Sequence, residues 1–392
     1  MEQTITAKLR ILPTPEEAKL LTTSMQAYKN ACNYVSQTIK NKHLPLKREE
    51  VHKITYRTCR EEYGLPSQMA ISATRTVVAA YNTIQTMRKK HPEKFKKTKP
   101  EQIITPEFKK PQCSLVWNRD YSLLTNKTTG EKLFSVNTIH GRIKLHYHAQ
   151  HMEWAFQEDA KFGTARLVLK HGKFYLHIPV TIQVPDAPNG TQIRNVVGVD
   201  RGIRFLATAY DSKGRTMFFS GRQVKRHRAH CKKVRSELQR RGTASARRRL
   251  REIGSRENRW MCDVDHCVSK ALVSACPSGT LFVLEDLSGV RAATERVRVR
   301  DRYMLVSWAF DDLRQKLEYK AVRAGDVVIF VDPAFTSQTC PCCGHVERGN
   351  RNHGLHLFKC CNCGYTSNDD RVAGMNLHRM GIEYLMQVQS SV

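Results

Sequence analysis

Six cysteines crowd into TSQTCPCCGHVERGNRNHGLHLFKCCNCGYTSNDDRVAGMNL, residues 336–377, and two aspartates, Asp369 and Asp370, follow them at once. Cys340 and Cys343 form one Cys-x2-Cys pair, and Cys360 and Cys363 form a second. Two such halves make a closed four-thiolate site, the donor set that suits a structural zinc ion. Gly344 and Gly364 follow the last thiolate of each half, where glycine permits a tight turn toward the metal. Cys342 and Cys361 are spare thiols, so other ligand sets stay open. An iron–sulfur cluster, or a reduced cysteine cluster with no metal, is the weaker reading.

A second kind of chemistry lies in three acidic positions far apart in the chain. Asp200 ends the apolar run NVVGVD, Glu285 ends TLFVLE, and Asp370 opens DRVAGMNLHRMG, which reads as a helix. Strand ends of a helix-flanked sheet sit at its rim, where ligands bind. Carboxylates grouped there repel one another and become useful around a divalent cation. Hard oxygen ligands suit magnesium or manganese. Two such ions can activate water and stabilise the leaving oxygen of a phosphodiester. Acidic strand ends are common, so a purely structural role stays open from spacing alone. The register is open as well. Asp286 stands beside Glu285, and strand alternation lets only one of them point straight into a shared site. Asp369 competes with Asp370 in the same way. Asp332, at the end of VVIFVDP, is a further acidic strand end with a structural or supporting part to play.

The remaining chain must position these groups. Its 392 residues suit two or three domains, with enough apolar content for real cores. The formal net charge is +29, from 65 Lys and Arg against 36 Asp and Glu. Such an excess points to a phosphate-bearing partner, hence nucleic acid. No apolar run reaches membrane-spanning length, and the start MEQTITAKLR lacks a signal core, so an intracellular protein is expected. Cys32, Cys59, Cys113, Cys231, Cys262, Cys267 and Cys276 are scattered and read as small buried side chains.

ITAKLRILP reads as an opening strand. Thr14, Pro15 and Glu17 then signal a helix start, and Leu21, Met25, Tyr28, Cys32 and Val35 recur at helical spacing. A second helix starts at Pro66, with Ile71, Val78 and Met87 among its anchors. From Ser114 the pattern shifts to short alternating strands, a compact β domain or open barrel that recruits the N-terminal strand. Its clearest hairpin turns at His171-Gly172. Residues 184–191 read as a linker. Residues 222–259 carry 15 Lys and Arg against 3 Glu, too one-sided for internal pairing, and read as two phosphate-facing helices. NRWMCDVDHCVSKALVSAC reads as a separate helix. RYMLVSWAFDDLRQKLEYKAVRAG reads as another, with Trp308, Leu313 and Leu317 on its packing face. Arg348, Arg351, His353, His356 and Lys359 give the cysteine finger a basic lobe.

Taken together, VVGVDRGI, VLEDLSG, VDPAFTSQTCPCCG, FKCCNCGY and NDDRVAGMNLHRMG resemble the RuvC motifs and zinc segment of the TnpB family. These are RNA-guided nucleases of IS200/IS605-type transposons, related to the compact type V CRISPR effectors. PTPEEAKLLTTSMQAYKNACNYVS resembles the family's amino-terminal helix. The resemblance implies an α+β multidomain chain with a RuvC nuclease domain of RNase H-like fold. It implies a β-barrel-like wedge domain, a helical recognition insertion and a four-cysteine zinc finger. The corresponding boundaries are 1–13 and 111–190 for the wedge, 14–110 for the helical part and 191–392 for the nuclease, with the finger at 336–366. It makes Asp200, Glu285 and Asp370 the catalytic, magnesium- or manganese-binding triad, and it makes Cys340, Cys343, Cys360 and Cys363 the zinc ligands. The implied partners are a guide RNA from the transposon end and target double-stranded DNA, with the protein monomeric and in a prokaryotic cytoplasm. Lys8, Arg10, Arg88, Lys89, Lys90, Arg142 and Lys144 would meet nucleic-acid backbone. The chain departs from the family's third motif at Val372, where asparagine is usual, and at Gly374, where alanine is usual. An RNA-independent transposase or resolvase, and a silent RNA-guided DNA binder, are the competing readings.

Overall fold

Two long alternating runs, EQTITAKLRIL and KFYLHIPVTIQ, give the chain its most extended strand pairing. The computed structural model describes residues 1–95, 104–125, 127, 130–149, 152–157, 159–287, 310–352 and 354–390. It divides into two units, Glu2–Gln183 and Val184–Val392, the latter with Met1.

The first unit holds β1 (Glu2–Leu12), β2 (Gln112–Leu115), β3 (Tyr121–Thr125), β4 (Lys132–Thr138), β5 (Gly141–His148), β6 (Lys161–Phe162), β7 (Ala165–Lys170) and β8 (Lys173–Gln183). Their order is β2-β7-β8-β1-β5-β4-β3, with β6 on β8. The edge strands β2 and β3 are joined by the short turn 116–120, so the sheet has to curl until its edges approach. Asp120 Oδ2 accepts from Val116 N at 2.9 Å within that turn, and Trp117 bridges to Tyr121. The rings of Trp117, Tyr121, Phe134, Phe156 and Phe162 pack together. The hairpin turn has φ of 51° at His171 and 71° at Gly172, the left-handed pair that fits strand twist.

Three helices sit between β1 and β2: α1 (Pro15–Asn41), α2 (Arg48–Glu61) and α3 (Ser67–Lys90). Thr14 and Glu17 cap α1 reciprocally, at 3.3 and 2.8 Å. Its expected core residues are all buried. α2 went unread in the sequence. Its buried stripe is only Val51, Thr55 and Cys59, and Thr55 disguises the apolar period. In α3 the core face is Met69, Ala70, Ala73, Val77, Val78 and Tyr81. Of the anchors expected there, Ile71 is half-buried and Met87 is exposed, because Met87 lies in the basic last turn, beyond the last buried residue.

The second unit is built on β9 (Asn195–Asp200), β10 (Phe205–Asp211), β11 (Thr216–Ser220), β12 (Thr280–Glu285) and β13 (Val327–Val331), in the order β11-β10-β9-β12-β13. β12 runs parallel to β9 and β13, and β10 runs antiparallel to its neighbours. Its helices are α4 (Arg222–Arg241), α5 (Ala244–Ser274), α6 (Phe310–Ala324) and α7 (Asp369–Ser390). α4 stops at Gly242, whose φ is 64°, and Thr243 caps α5. The sequence suggests two helices meeting near Gly254 where the structure has α5 alone. The helix is continuous because an interior glycine weakens a helix without ending it. Trp308 lies outside the described residues. Leu313 and Leu317 are buried, as expected. Of the scattered cysteines, Cys267 is exposed rather than buried. Among the described residues no helix is long and apolar enough to cross a membrane.

Strand alternation splits this sheet into two faces. Val197, Val199, Phe282 and Leu284 pack with Met261, Val268, Leu272, Leu313 and Leu317 from α5 and α6. Val196, Leu281 and Val283 pack with Leu377 and Leu385 from α7. On that second face α7 meets β9 backbone to backbone. A Cβ on Gly198 would lie 2.1 Å from Gly374 O and 2.4 Å from His378 N. Gly381 sits equally close to the sheet, its notional Cβ 2.6 Å from side-chain methyls of Val196 and Val283. At Gly374 a Cβ would meet Tyr210 Cβ at 3.4 Å and two carbonyls at 3.5 Å, ordinary contacts.

The two partners of this contact should therefore respond oppositely to one added methyl. Gly198→Ala has to push the helix away and should cost about 2 kcal/mol or more. Gly374→Ala should be neutral or stabilising by up to about 1 kcal/mol, through helix propensity. Urea unfolding of the two variants checks this. Equal losses would mean that the helix does not rest on Gly198.

Candidate active site

The same alternation that makes the two faces decides where the acids point. Asp200 follows Val196 and Gly198 on the α7 face, and Glu285 follows Leu281 and Val283 on that face. Asp286 has the parity of Phe282 and Leu284, and its carboxylate is 3.9 Å from Arg314 of α6, on the opposite face. α7 runs antiparallel to β9, since Gly198 meets Gly374 while Val196 meets Gly381. From Gly198 to Asp200 is about 6.6 Å along a strand. From Gly374 back to Asp370 is about 6 Å along a helix. The glycine contact thus carries Asp370 toward Asp200.

Asp200, Glu285 and Asp370 all line one cleft of about 1010 Å³, together with Arg201, Arg204, Arg222, Lys225, Thr336, Arg351 and His356. Burial, then the charges of Glu285 and Asp370, push Asp200 up to about 8, against the pull of Arg351 and Arg201. Burial also raises Glu285, opposed by its bond from Thr336 and by Arg201 and Arg351. Thr336 Oγ1 donates to Glu285 Oε1 at 2.5 Å, and Arg201 Nη2 donates to the Glu285 carbonyl at 2.6 Å. Asn376 fixes the Thr336 segment, its Nδ2 donating to Thr336 O and Thr339 O at 2.8 Å each.

Asp369 has a different part. It is fully buried, bound by Arg351 Nε at 2.9 Å, and its Oδ1 accepts from Asp370 N at 3.0 Å. Arg351 Nη2 also lies 3.5 Å from Asp370. Asp369 therefore ties the finger strand β14 (Arg351–Asn352) to the start of α7, while Asp370 faces the cleft. His356, Asp369 and Asp370 offer ligand atoms within 4.8 Å of one another, a tight group that leaves out Asp200 and Glu285. Two cations about 3.5–4 Å apart need a wider ring of carboxylates than one does. Hard oxygen donors that hold protons against their usual preference are the donor chemistry that a divalent cation relieves.

The Sγ atoms of Cys340, Cys343, Cys360 and Cys363 also lie within 4.8 Å of one another, with 3.6 Å between Cys340 and Cys363 and between Cys343 and Cys360. A tetrahedron with metal–sulfur bonds of about 2.3 Å has edges of about 3.8 Å, so the donor set fits zinc. Each knuckle repeats one turn. Gly344 N donates to Cys340 O at 3.0 Å and Gly364 N to Cys360 O at 3.1 Å, with φ of 74° at both glycines. Cys342 and Cys361 are exposed and outside the group. Beneath it Val372 packs with Cys340, Phe358 and Cys360, so an apolar residue serves at that position. β15 (Leu357–Lys359) and β16 (Thr366–Asn368) join β14 in the finger's small sheet.

Several expectations change. Of the basic residues of the finger, Arg351 and His356 line the cleft, drawn in by Asp369. Arg348 and Lys359 are exposed, and His353 lies outside the described residues. Asp332 does not line the cleft. Its Oδ1 accepts from Ala334 N at 2.9 Å and shapes a turn. Arg201, Thr336 and Asn376 were missed. Only the adjacency of Arg201 to Asp200 hinted at any of them.

Residues 177–288 match a family model described as "Probable transposase", and residues 310–377 match one described as "Cas12f1-like, TNB domain". A TnpB-like protein of Methanocaldococcus jannaschii is 35% identical over 131 residues, 33% of this chain and 46% of that protein. Over these segments the chain is similar to TnpB-like proteins. A CRISPR-associated endodeoxyribonuclease Cas12f1 of Sulfoacidibacillus thermotolerans is 40% identical over 112 residues, 29% of this chain and 24% of the relative. The matches thus span under half the length of these relatives. In fold, the chain is similar to a cryo-EM structure of a Cas12f1–sgRNA–target DNA complex. The TM-score is 0.55 with 12% identity, covering 93% of this chain and 82% of the other. The two matched segments carry Asp200 and Glu285 in one and Asp370 with the four clustered cysteines in the other.

Two outcomes follow from the burial of Asp200 and from the cysteine group. Without added metal, Asp200 holds its proton to about pH 8 when folded, against an ordinary value of 3.8. The folded form then binds more protons than the unfolded between those values, so this contribution to stability is full below pH 3.8 and is lost as pH rises to about 8. Asp200→Asn should flatten that slope and melt higher than the parent at pH 8. Parallel pH profiles of Tm would contradict the burial of this acid. Cys343→Ser should reduce bound zinc from about one per chain and lower the folded yield. Normal zinc content by atomic absorption would remove Cys343 from the ligand set.

Proposed function

We propose that this chain is an RNA-guided DNA endonuclease of transposon origin, cutting duplex DNA beside a short adjacent motif. Asp200, Glu285 and Asp370 would hold two magnesium or manganese ions, and Cys340, Cys343, Cys360 and Cys363 one zinc. The observation that carries this reading is the convergence of three acids, from β9, β12 and α7, in one arginine-lined cleft. The strand order β11-β10-β9-β12-β13, with helices on both faces, supports an RNase H-like core. The relatives named as a TnpB-like protein and as an endodeoxyribonuclease, and the sgRNA and target DNA of the similar structure, support the RNA and DNA partners. The exposed basic residues Lys8, Lys89, Lys90, Arg142 and Lys144, with the less exposed Arg10 and Arg88, and the basic α4 would meet phosphate backbone.

When bound, the divalent ions would supply an activated water and charge stabilisation at the phosphate. The protein's share is positioning. Thr336 orients Glu285, Arg201 fixes the end of β12 through its carbonyl, and Arg351 holds the start of α7. Arg204, Arg222 and Lys225 would attract the strand to be cut.

The protein should co-purify with a small RNA transcribed from its element's end. With that RNA and magnesium it should cut matching duplex DNA, and Asp200→Ala should lower the rate by about a thousandfold or more. Undiminished cutting by Asp200→Ala would exclude the site. Cutting by an RNA-free preparation would favour a transposase or resolvase, and intact RNA-directed binding without cutting would favour a silent binder.

A further inference from the structure

Phe335 has a φ of 62°, the left-handed region that a bulky side chain avoids, and its side chain is 60% exposed. A strained backbone that leaves an apolar ring in water serves neither folding nor packing. The strain is held in place by many bonds. Phe335 O accepts from Gln338 N at 2.9 Å, Thr339 N at 3.0 Å and Thr339 Oγ1 at 2.9 Å. Asn376 clamps the next residues from α7. Pro333, Thr336 and Ser337, on either side, line the carboxylate cleft. Strain that the surroundings over-determine beside a reactive centre points to use of the side chain it displays.

A second aromatic surface borders the same cleft. Phe205 lines it, its ring centroid is 4.9 Å from that of the exposed Phe218, and the Arg204 guanidinium lies 5.7 Å from the Phe205 ring. Cations interleaved with exposed rings are what a single strand needs, charge for its phosphates and flat faces for its bases. A duplex keeps its base faces stacked and has to be kinked open, at a cost in unstacking, before a ring can reach them.

We propose that Phe335 is a stacking platform for one base of a single-stranded DNA segment lying in the cleft. It fixes which phosphate reaches the carboxylates and favours unpaired DNA there. The inference rests on the nuclease reading and adds a positioning residue to it.

The test uses the full protein–RNA complex carrying Asp200→Ala, with matched duplex targets holding 2-aminopurine at successive positions near the cut. One position should show quenching that Phe335→Leu abolishes and Phe335→Trp keeps. In the cutting-competent complex, Phe335→Leu should raise KM or shift the cut, with a loss on the order of tenfold. An abasic nucleotide at the quenched position should cost the parent a similar factor and cost Phe335→Leu little more. Phe335→Gly, which relieves the backbone, should melt higher than the parent while cutting as poorly as Phe335→Leu. Quenching that is indifferent to residue 335 at every position, or unchanged cutting by Phe335→Leu, would overturn the proposal. A parent that cuts no DNA would instead defeat the nuclease reading, with the quenching still deciding whether the ring stacks.

Discussion

The contact on which the second unit depends is the seating of α7 directly on β9, where neither backbone carries a side chain between them. Gly198 removes the atom that would hold the helix off, and Gly381 repeats the concession further along. Everything at the cleft is measured from that contact. It sets the depth of Asp370 beside Asp200, and it brings Asn376 within reach of the loop that carries Thr336. It also places Val372 under the cysteine knuckles, so that one helix is shared by the sheet and the finger.

The cleft is then a balance of like charges against a few well-aimed cations. Burial works against ionised Asp200 and Glu285, the charges of Glu285 and Asp370 add to it at Asp200, and Arg201 and Arg351 offset only part of that. Arg351 comes from the finger, so the finger contributes charge as well as stiffness to the site. Its partner Asp369 explains why two aspartates stand together. One ties the finger to the helix, and the other is left to face the cleft. Neutralisation by divalent cations would complete the balance that the arginines begin.

Much of this was legible from residue order. The apolar runs ending at Asp200 and Glu285, the cysteine spacing and the capped α1 all announce themselves through short-range rules. The choice between Glu285 and Asp286 was not legible, because it depends on which face of the sheet α7 covers. Parity becomes decisive only once that face is known. The inward turn of Arg351 was hidden for a similar reason. Within the finger it looks like one basic residue among several, and only the buried Asp369 separates it from them. α2 and the unbroken α5 were missed because their sequences dilute the helical signal, with threonine in one and glycine in the other.

The first unit carries a consequence for how the molecule is made. β1 leaves the ribosome well before its long partner β8, which ends at Gln183. At about 5–20 residues per second, translation keeps β1 waiting for roughly 10 to 35 s. α1, α2 and α3 form from local contacts in that interval. During it β1 lacks its partner along most of its length, since β5 pairs only with Arg10–Leu12, and that edge is open to strands of neighbouring nascent chains. Neighbouring chains on one polysome are then the partners that this edge can meet, and slower synthesis lengthens the interval.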